Sequence, residues 1–211
     1  MQHDTLDTAR SAVADFSASA EWVSTVVAGI VAPDWAAPGL GTWDLRALVG
    51  HTSRALLTVE QYLDRPAQRA EITSPADYFR RAGIATGADP NQVHARGVAA
   101  GDALGDDPVA AFSRIADRVT GLVREAGNPV ITCIVGGIRL SDYLPTRTFE
   151  LVVHGMDIAT ATGVHSGPPT RVLERTVALA AELAVAAGDG PQLLAALTGR
   201  GTLSPGFSVL G

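Results

Sequence analysis

Residues 148–157, TFELVVHGMD, place a carboxylate and an imidazole four residues apart in a mostly apolar run. On a helix, side chains four residues apart lie on one face, one turn from each other. Arg147 and Asp157 extend the stripe formed by Glu150 and His154, and the other faces are mostly apolar. A helix that is apolar nearly all round is typical of a core, where charges need partners or a metal. In isolation, however, such a pair is more often an exposed ion pair.

Helical periodicity predicts four long helices around this segment. Asp44 is a suitable N-cap for the second helix, and Gly127 is suited to end the third. Pro145 is compatible with the fourth helix only if it lies in the first turn. The expected helices span residues 5–31, 44–63, 107–127 and 141–163.

The remaining segments are predicted to be shorter or irregular. Residues 75–104 read as short helices with glycine interruptions, and the β-branched residues before Gly136 favour a small hairpin or an extended link. Helices are also expected at 169–187 and 190–199, followed by an extended tail. The predicted fold is therefore an all-α four-helix bundle, residues 1–165, with a helical extension and tail, 166–211, packed on it.

Composition excludes several functions. The chain has 211 residues, a net charge of −6 and sixteen basic residues that are all arginine. It therefore lacks a Schiff-base lysine, a P-loop lysine and a basic surface for nucleic acid. Cys133 is the single cysteine, and no signal peptide or membrane span is evident. These features predict a cytoplasmic protein that binds neither nucleic acid nor membrane.

His51 is the natural third member of a site with Glu150 and His154. It lies on the apolar seam of the second helix, where a histidine taken alone is more often a satisfied core residue. Facing helices are nevertheless where bundles build metal sites, and two histidines with one glutamate form a catalytic zinc set with an open position. Arg147 and Arg54 are candidates for binding a substrate carboxylate, although Arg147 is equally compatible with the surface. Asp157 is a candidate for orienting a ligand histidine.

Two separated segments carry a resemblance to a known family. PGLGTWDLRALVGH (38–51) and RTFELVVHGMDIATATG (147–163) resemble the DinB-like, mycothiol-dependent maleylpyruvate isomerase N-terminal family of actinobacteria. The pattern is a tryptophan eight residues before a histidine, then Arg-x-x-Glu-x-x-x-His-Gly-x-Asp, and ALTGRGTLSPGF (196–207) is also similar to family members. The resemblance implies a DinB-like bundle with a divalent metal, usually zinc, held by His51, Glu150 and His154. It also implies mycothiol as a cosubstrate.

The sequence therefore predicts a metal-dependent enzyme, with zinc as the expected metal. We expect it to activate mycothiol or a similar small thiol for transfer to, or isomerisation of, a small electrophilic substrate. Two alternatives stay open on the same bundle. One is a non-catalytic metal- or ligand-binding protein, and the other is metal-assisted hydrolysis.

Overall fold

Four long helices form a bundle around an apolar core. In this computed structural model, the backbone is described for residues 2–30, 34–86 and 90–210, and the side chains for residues 6–30, 34–83 and 91–210. The described residues contain eight α-helices, a short 3-10 helix at Asp34–Ala36 and a two-stranded sheet. The elements are α1 (Gln2–Ala28), α2 (Leu45–Leu63), α3 (Pro75–Thr86), α4 (Pro90–Asp102), α5 (Pro108–Glu125), β1 (Val130–Cys133), β2 (Gly136–Arg139), α6 (Leu140–Thr162), α7 (Thr170–Ala187) and α8 (Gly190–Leu197).

The bundle consists of α1, α2, α5 and α6. Both α1 and α2 pack against α5 and against α6. Each helix contributes fully buried side chains, including Phe16, Leu48, Phe112 and Leu151. Burial of such side chains from water is the main stabilising contribution to the fold. The predicted all-α bundle with a helical extension is thus confirmed.

Capping residues fix where two of the bundle helices begin. Asp44 accepts a hydrogen bond from the Ala47 N–H at 2.8 Å, as expected for the N-cap of α2. Asp107 accepts one from the Ala110 N–H at 3.0 Å at the start of α5. Gly127 follows the end of α5 with a φ of 68°, a conformation that favours glycine. These caps set the register in which each helix presents its apolar face.

The link before α6 is a hairpin rather than an irregular extended segment. Strands β1 and β2 pair antiparallel, with Val130 opposite Arg139 and Cys133 opposite Gly136. The loop that follows α2, residues 64–74, packs along this hairpin: the Thr132 N–H donates to Arg65 O at 2.7 Å. A Cβ on Gly137 would lie 2.1 Å from Arg69 O, so the close approach requires glycine.

The expectation that Pro145 lies in the first turn of α6 is wrong. Because α6 begins directly after β2, Pro145 is its sixth residue and interrupts one backbone hydrogen bond in the second turn. The Asn128 side chain stabilises the preceding turn through two hydrogen bonds with Ser141. Asn128 Oδ1 accepts from the Ser141 N–H at 2.8 Å, and Asn128 Nδ2 donates to Ser141 Oγ at 3.1 Å. Tertiary contacts therefore keep the helix continuous through the proline.

The C-terminal helices pack on the bundle. Helix α7 contacts α1, α3 and α6, and Leu179 and Leu183 pack against Phe149 of α6, together with Val209 of the tail. Asp15 of α1 forms ion pairs with Arg171 and Arg175 of α7, each at 3.0 Å. The predicted domain division at residue 165 stays a prediction.

None of the helices in the described part of the chain is long and apolar enough to cross a membrane.

Candidate metal centre

Three metal-ligating side chains converge between α2 and α6. His51 comes from α2, and Glu150 and His154 come from successive turns of α6. Their ligand atoms all lie within 4.8 Å of one another. The His51 and His154 rings meet edge to face, with centroids 4.9 Å apart. The structure thus brings together the three residues that helical spacing selected.

The geometry of this cluster suits a single divalent ion. Zinc–ligand bonds of about 2.0–2.1 Å in a tetrahedral site place neighbouring donor atoms roughly 3.3 Å apart. His154 Nε2 already lies 3.4 Å from Glu150 Oε2. Among the described residues, His51 Nδ1 is buried without a hydrogen-bond partner, which is costly unless a ligand satisfies it. The residues present therefore fit a metal with nitrogen, oxygen and nitrogen donors.

Asp157 contacts the other nitrogen of the His154 ring. Its Oδ2 lies 3.1 Å from His154 Nδ1. A carboxylate at this position accepts the Nδ1–H and leaves Nε2, which faces Glu150, for the metal. The predicted contact between Asp157 and a candidate ligand histidine is therefore present.

The two histidines have opposite pKa shifts. Burial, reinforced by the nearby His154, lowers the pKa of His51 to about 4. Burial also acts to lower the pKa of His154, but its hydrogen bonds with Asp157 and Glu150 outweigh that effect and raise the pKa to about 9. Burial disfavours ionised Glu150, yet its hydrogen bond with His154 and the charge of Arg147 leave its pKa lowered. Without metal, the cluster is thus held together by an imidazolium between carboxylates.

Arg147 lies beneath the cluster and not on the surface. Its guanidinium carbon lies 5.4 Å from the ring centroid of Tyr78 and 5.2 Å from that of Tyr143. One guanidinium nitrogen is 3.9 Å from Glu150 Oε1, and Nε donates to Thr146 Oγ1 at 3.0 Å. The alternative that Arg147 is a surface residue is therefore wrong. Its guanidinium interacts with the two tyrosine rings and with Glu150.

Trp43 packs on the His51 ring and is itself held by α4, which lies in the region where the sequence predicted glycine interruptions. The Trp43 ring lies 4.6 Å from the His51 ring, and its Nε1–H donates to His94 O of α4 at 3.1 Å. A Cβ on Gly97 would lie 2.6 Å from Trp43. Helix α4 runs through Gly97 without a break, and the missing side chain of this glycine admits the tryptophan that packs on His51. Sequence reasoning identified Trp43 only through the family pattern.

The cluster opens into a cavity of about 610 Å³. Arg54, the other predicted substrate-binding arginine, lines it on the α2 side. Three further residues that the sequence did not single out also line the cavity: Arg96 of α4, Tyr78 of α3 and Val209 of the tail. No periodic signal links these residues to His51, because each comes from a different element.

The bundle and its inward-facing cluster define a class of protein: a four-helix bundle with a candidate metal centre between its second and fourth helices. Within that class, the chain belongs to the mycothiol maleylpyruvate isomerase N-terminal domain family, whose sequence profile matches residues 16–159. The match includes His51, Glu150 and His154 and ends near the C-terminus of α6, so it confirms the resemblance. No curated protein and no solved structure matches the chain.

Proposed function

We propose that this protein is a zinc-dependent enzyme that activates mycothiol, or a similar small thiol, for transfer to or isomerisation of a small electrophile. The observation that carries the proposal is that His51, Glu150 and His154 line a cavity of about 610 Å³. In the described part of the chain, these three side chains are the protein ligands that the cluster offers to a metal. Three protein donors with an open position are typical of catalytic zinc, whereas structural sites are closed. Membership of a mycothiol-related family supports a thiol as the cosubstrate.

Each side chain of the centre has a role in this proposal. His51, Glu150 and His154 would hold the metal, and Asp157 would keep the His154 Nε2 lone pair directed at it. Arg147 would balance the charge of Glu150 and keep the carboxylate in place. Bound zinc lowers the pKa of a thiol, and the thiolate is the reactive nucleophile. The apolar residues Phe79, Leu183 and Val209 along the cavity would limit the access of water to the reacting atoms.

A cobalt-substituted protein tests the thiol step. Addition of mycothiol should produce sulfur-to-metal charge-transfer absorption, because a soft thiolate enters the open position. The band should rise with pH and saturate well below the free thiol pKa of about 8.5. His154→Ala should abolish it by removing one of three ligands. Cobalt spectra that are indifferent to mycothiol would remove the thiol hypothesis and leave metal-assisted hydrolysis or simple ligand binding.

Turnover then distinguishes an enzyme from a binding protein. The zinc-loaded protein should accelerate conjugation of mycothiol with a fluorogenic electrophile such as monochlorobimane, and the His154→Ala protein should not. Thiol binding without any acceleration across a panel of electrophiles would favour a non-catalytic ligand-binding protein.

A small-thiol cosubstrate and the single, buried Cys133 also support a cytoplasmic location.

A further inference from the structure

The segment that follows α8 reaches the metal cavity although residues 198–210 are irregular and mostly exposed. Val209, which is half-buried, and Leu210 line the same cavity as the metal cluster. The sequence pattern ALTGRGTLSPGF (196–207), which the metal centre does not explain, forms most of the path to this point. We call residues 200–210 the strap, because they connect the end of α8 to the mouth of the cavity.

Two glycine-containing motifs set the path of the strap. Gly199 follows the end of α8 with a φ of 70°, and its N–H donates back to Ala196 O at 3.1 Å. In the sequence SPGF (204–207), the last N–H donates to the first C=O at 3.0 Å, and Gly206 has a φ of 76°. A Pro-Gly pair with this geometry is typical of a type II turn, and the turn reverses the chain two residues before Val209.

Few contacts hold the strap on the rest of the protein. Within the described part of the chain, no backbone group of residues 201–210 forms a hydrogen bond with a residue outside the tail. One exposed side-chain hydrogen bond, from Gln192 Nε2 of α8 to Ser204 Oγ at 2.7 Å, attaches the turn. The end of the strap is attached by Val209, which packs against an apolar cluster formed by Phe149, Leu179 and Leu183. Segments with few buried apolar contacts and no backbone ladder open at a low free-energy cost.

The metal cluster is largely shielded while the strap lies on the cavity. The side chains of His154 and Glu150 are 15% and 21% exposed. Residues 201–203, between the α8 cap and the turn, are exposed and form no regular structure. The strap therefore combines a fixed start, an exposed connection and an apolar end that rests at the cavity.

We propose that the strap is a hinged cover of the metal cavity, with Val209 as its latch, and that it lifts to admit a substrate-sized molecule. The exposed connection at residues 201–203 is the hinge. When the latch is seated, the strap keeps bulk water from the cluster, and when it is released, the cavity is open to a ligand. The motion requires neither metal nor thiol, so this inference goes beyond the proposed function.

Chemical modification of His51 in the full-length, metal-free protein tests the latch. Diethyl pyrocarbonate acylates accessible neutral imidazoles, and mass spectrometry gives the rate at each histidine. Val209→Ala and Val209→Ser should each raise the His51 rate about five- to tenfold, because they weaken the apolar contact and increase the open population. The exposed His165 should react at the same rate in every variant. Leu203→Ala is the matched control, because Leu203 is an exposed residue of the strap that does not line the cavity.

Loss of the second attachment separates a hinged strap from a fixed wall. Gln192 and Ser204 do not line the cavity, so their replacement does not enlarge its opening. Gln192→Ala and Ser204→Ala should nevertheless each raise the His51 rate about threefold, since either removes the same hydrogen bond. The double variant should react no faster than either single variant, because the two changes remove one shared interaction.

Two results would overturn the latch: a His51 rate that neither Val209 variant changes, and an equal rise in Leu203→Ala. Faster modification in the Val209 variants, with wild-type rates in Gln192→Ala and Ser204→Ala, would show a fixed wall and overturn the hinge. Melting curves identify a variant that fails to fold, and either Val209 variant is sufficient for the test. Cobalt spectra that are indifferent to mycothiol would leave all these rates unchanged, so the strap and the proposed function can fail separately.

Discussion

Asp157 Oδ2 and His154 Nδ1 lie 3.1 Å apart, while Nε2 of the same ring lies 3.4 Å from Glu150 Oε2. One imidazole therefore bridges two carboxylates along a single face of α6. This arrangement stabilises a protonated ring in the metal-free protein. When a metal replaces the proton on Nε2, Asp157 still accepts from Nδ1 and holds the ring orientation.

Asp157→Asn should weaken metal binding without abolishing it. The amide retains an acceptor but loses the charge that orients the ring and increases its basicity, and we expect a loss of about 10–100-fold in affinity. His154→Ala should cause a larger loss because it removes a ligand. Competition with a chromogenic chelator measures both, and Asp117→Asn is the control because Asp117 is an exposed carboxylate on α5. Equal affinities for Asp157→Asn and Asp117→Asn would exclude the orienting role.

The metal-free protein should lose stability on both sides of about pH 6.5. The pKa of His51 is lowered to about 4, so the unfolded chain binds more protons between pH 4 and 6.5, and stability falls as pH decreases. The pKa of His154 is raised to about 9, so the folded chain binds more protons between pH 6.5 and 9, and stability falls as pH increases. The free energy of unfolding should fall by about 2–3 kcal/mol along each limb of this profile, the acid limb below pH 6.5 and the alkaline limb above it.

Urea unfolding of chelator-treated protein from pH 4.5 to 9 measures these limbs. His51→Gln should flatten the acid limb, and His154→Gln should flatten the alkaline limb. His165→Gln provides the control, since His165 is exposed in the loop after α6. A profile that His51→Gln and His154→Gln leave unchanged would show that the stability change comes from other groups.

The cluster could be predicted from sequence because its signals are local. Glu150 and His154 are separated by one helical turn, and His51 lies on the apolar seam of α2, so helical periodicity placed all three on inward faces. Arg96 and Tyr78 gave no such signal, since their positions depend on how α3 and α4 pack across α2 and α6. Local sequence signals also could not predict in which turn of α6 Pro145 lies. Its turn depends on where β2 ends, and that is set by hairpin pairing with the loop after α2.

Arg147→Met should destabilise the protein by about 2 kcal/mol or more. The change removes a buried cation from the faces of Tyr78 and Tyr143. It also leaves His154 as the one cationic neighbour that pairs with Glu150 among the described residues. Arg147→Lys should recover part of the loss, because a lysine keeps the charge but not the planar guanidinium. Arg139→Met is the comparison, as Arg139 is exposed at the end of the hairpin. Equal unfolding free energies for Arg147→Met and Arg139→Met would mean that the aromatic cage is not stabilising.

Gly155→Ala should loosen the contact between α1 and α6 beside the metal cluster. A Cβ at Gly155 would lie 2.4 Å from Trp22 Cζ3 and 2.8 Å from Val23 Cγ2, so α1 or its side chains must shift. Overpacking of this kind costs about 1–3 kcal/mol, which exceeds the roughly 1 kcal/mol that alanine gains over glycine in a helix. Because Gly155 follows His154, metal affinity should also fall.

Gly121→Ala is the matched control for this prediction. Gly121 lies within α5, and in the described part of the chain a Cβ there would have no heavy atom within 4 Å outside the neighbouring backbone of its own helix. The substitution should therefore stabilise the protein by about 0.4–1 kcal/mol and leave metal affinity unchanged. If α1 and α6 meet closely at Gly155, urea unfolding should show stability changes of opposite sign for the two variants, and metal titration should show a loss of affinity for Gly155→Ala alone. Stabilisation by both substitutions would show that the helices have room for a methyl group there, and that His154 is not held in place by this contact.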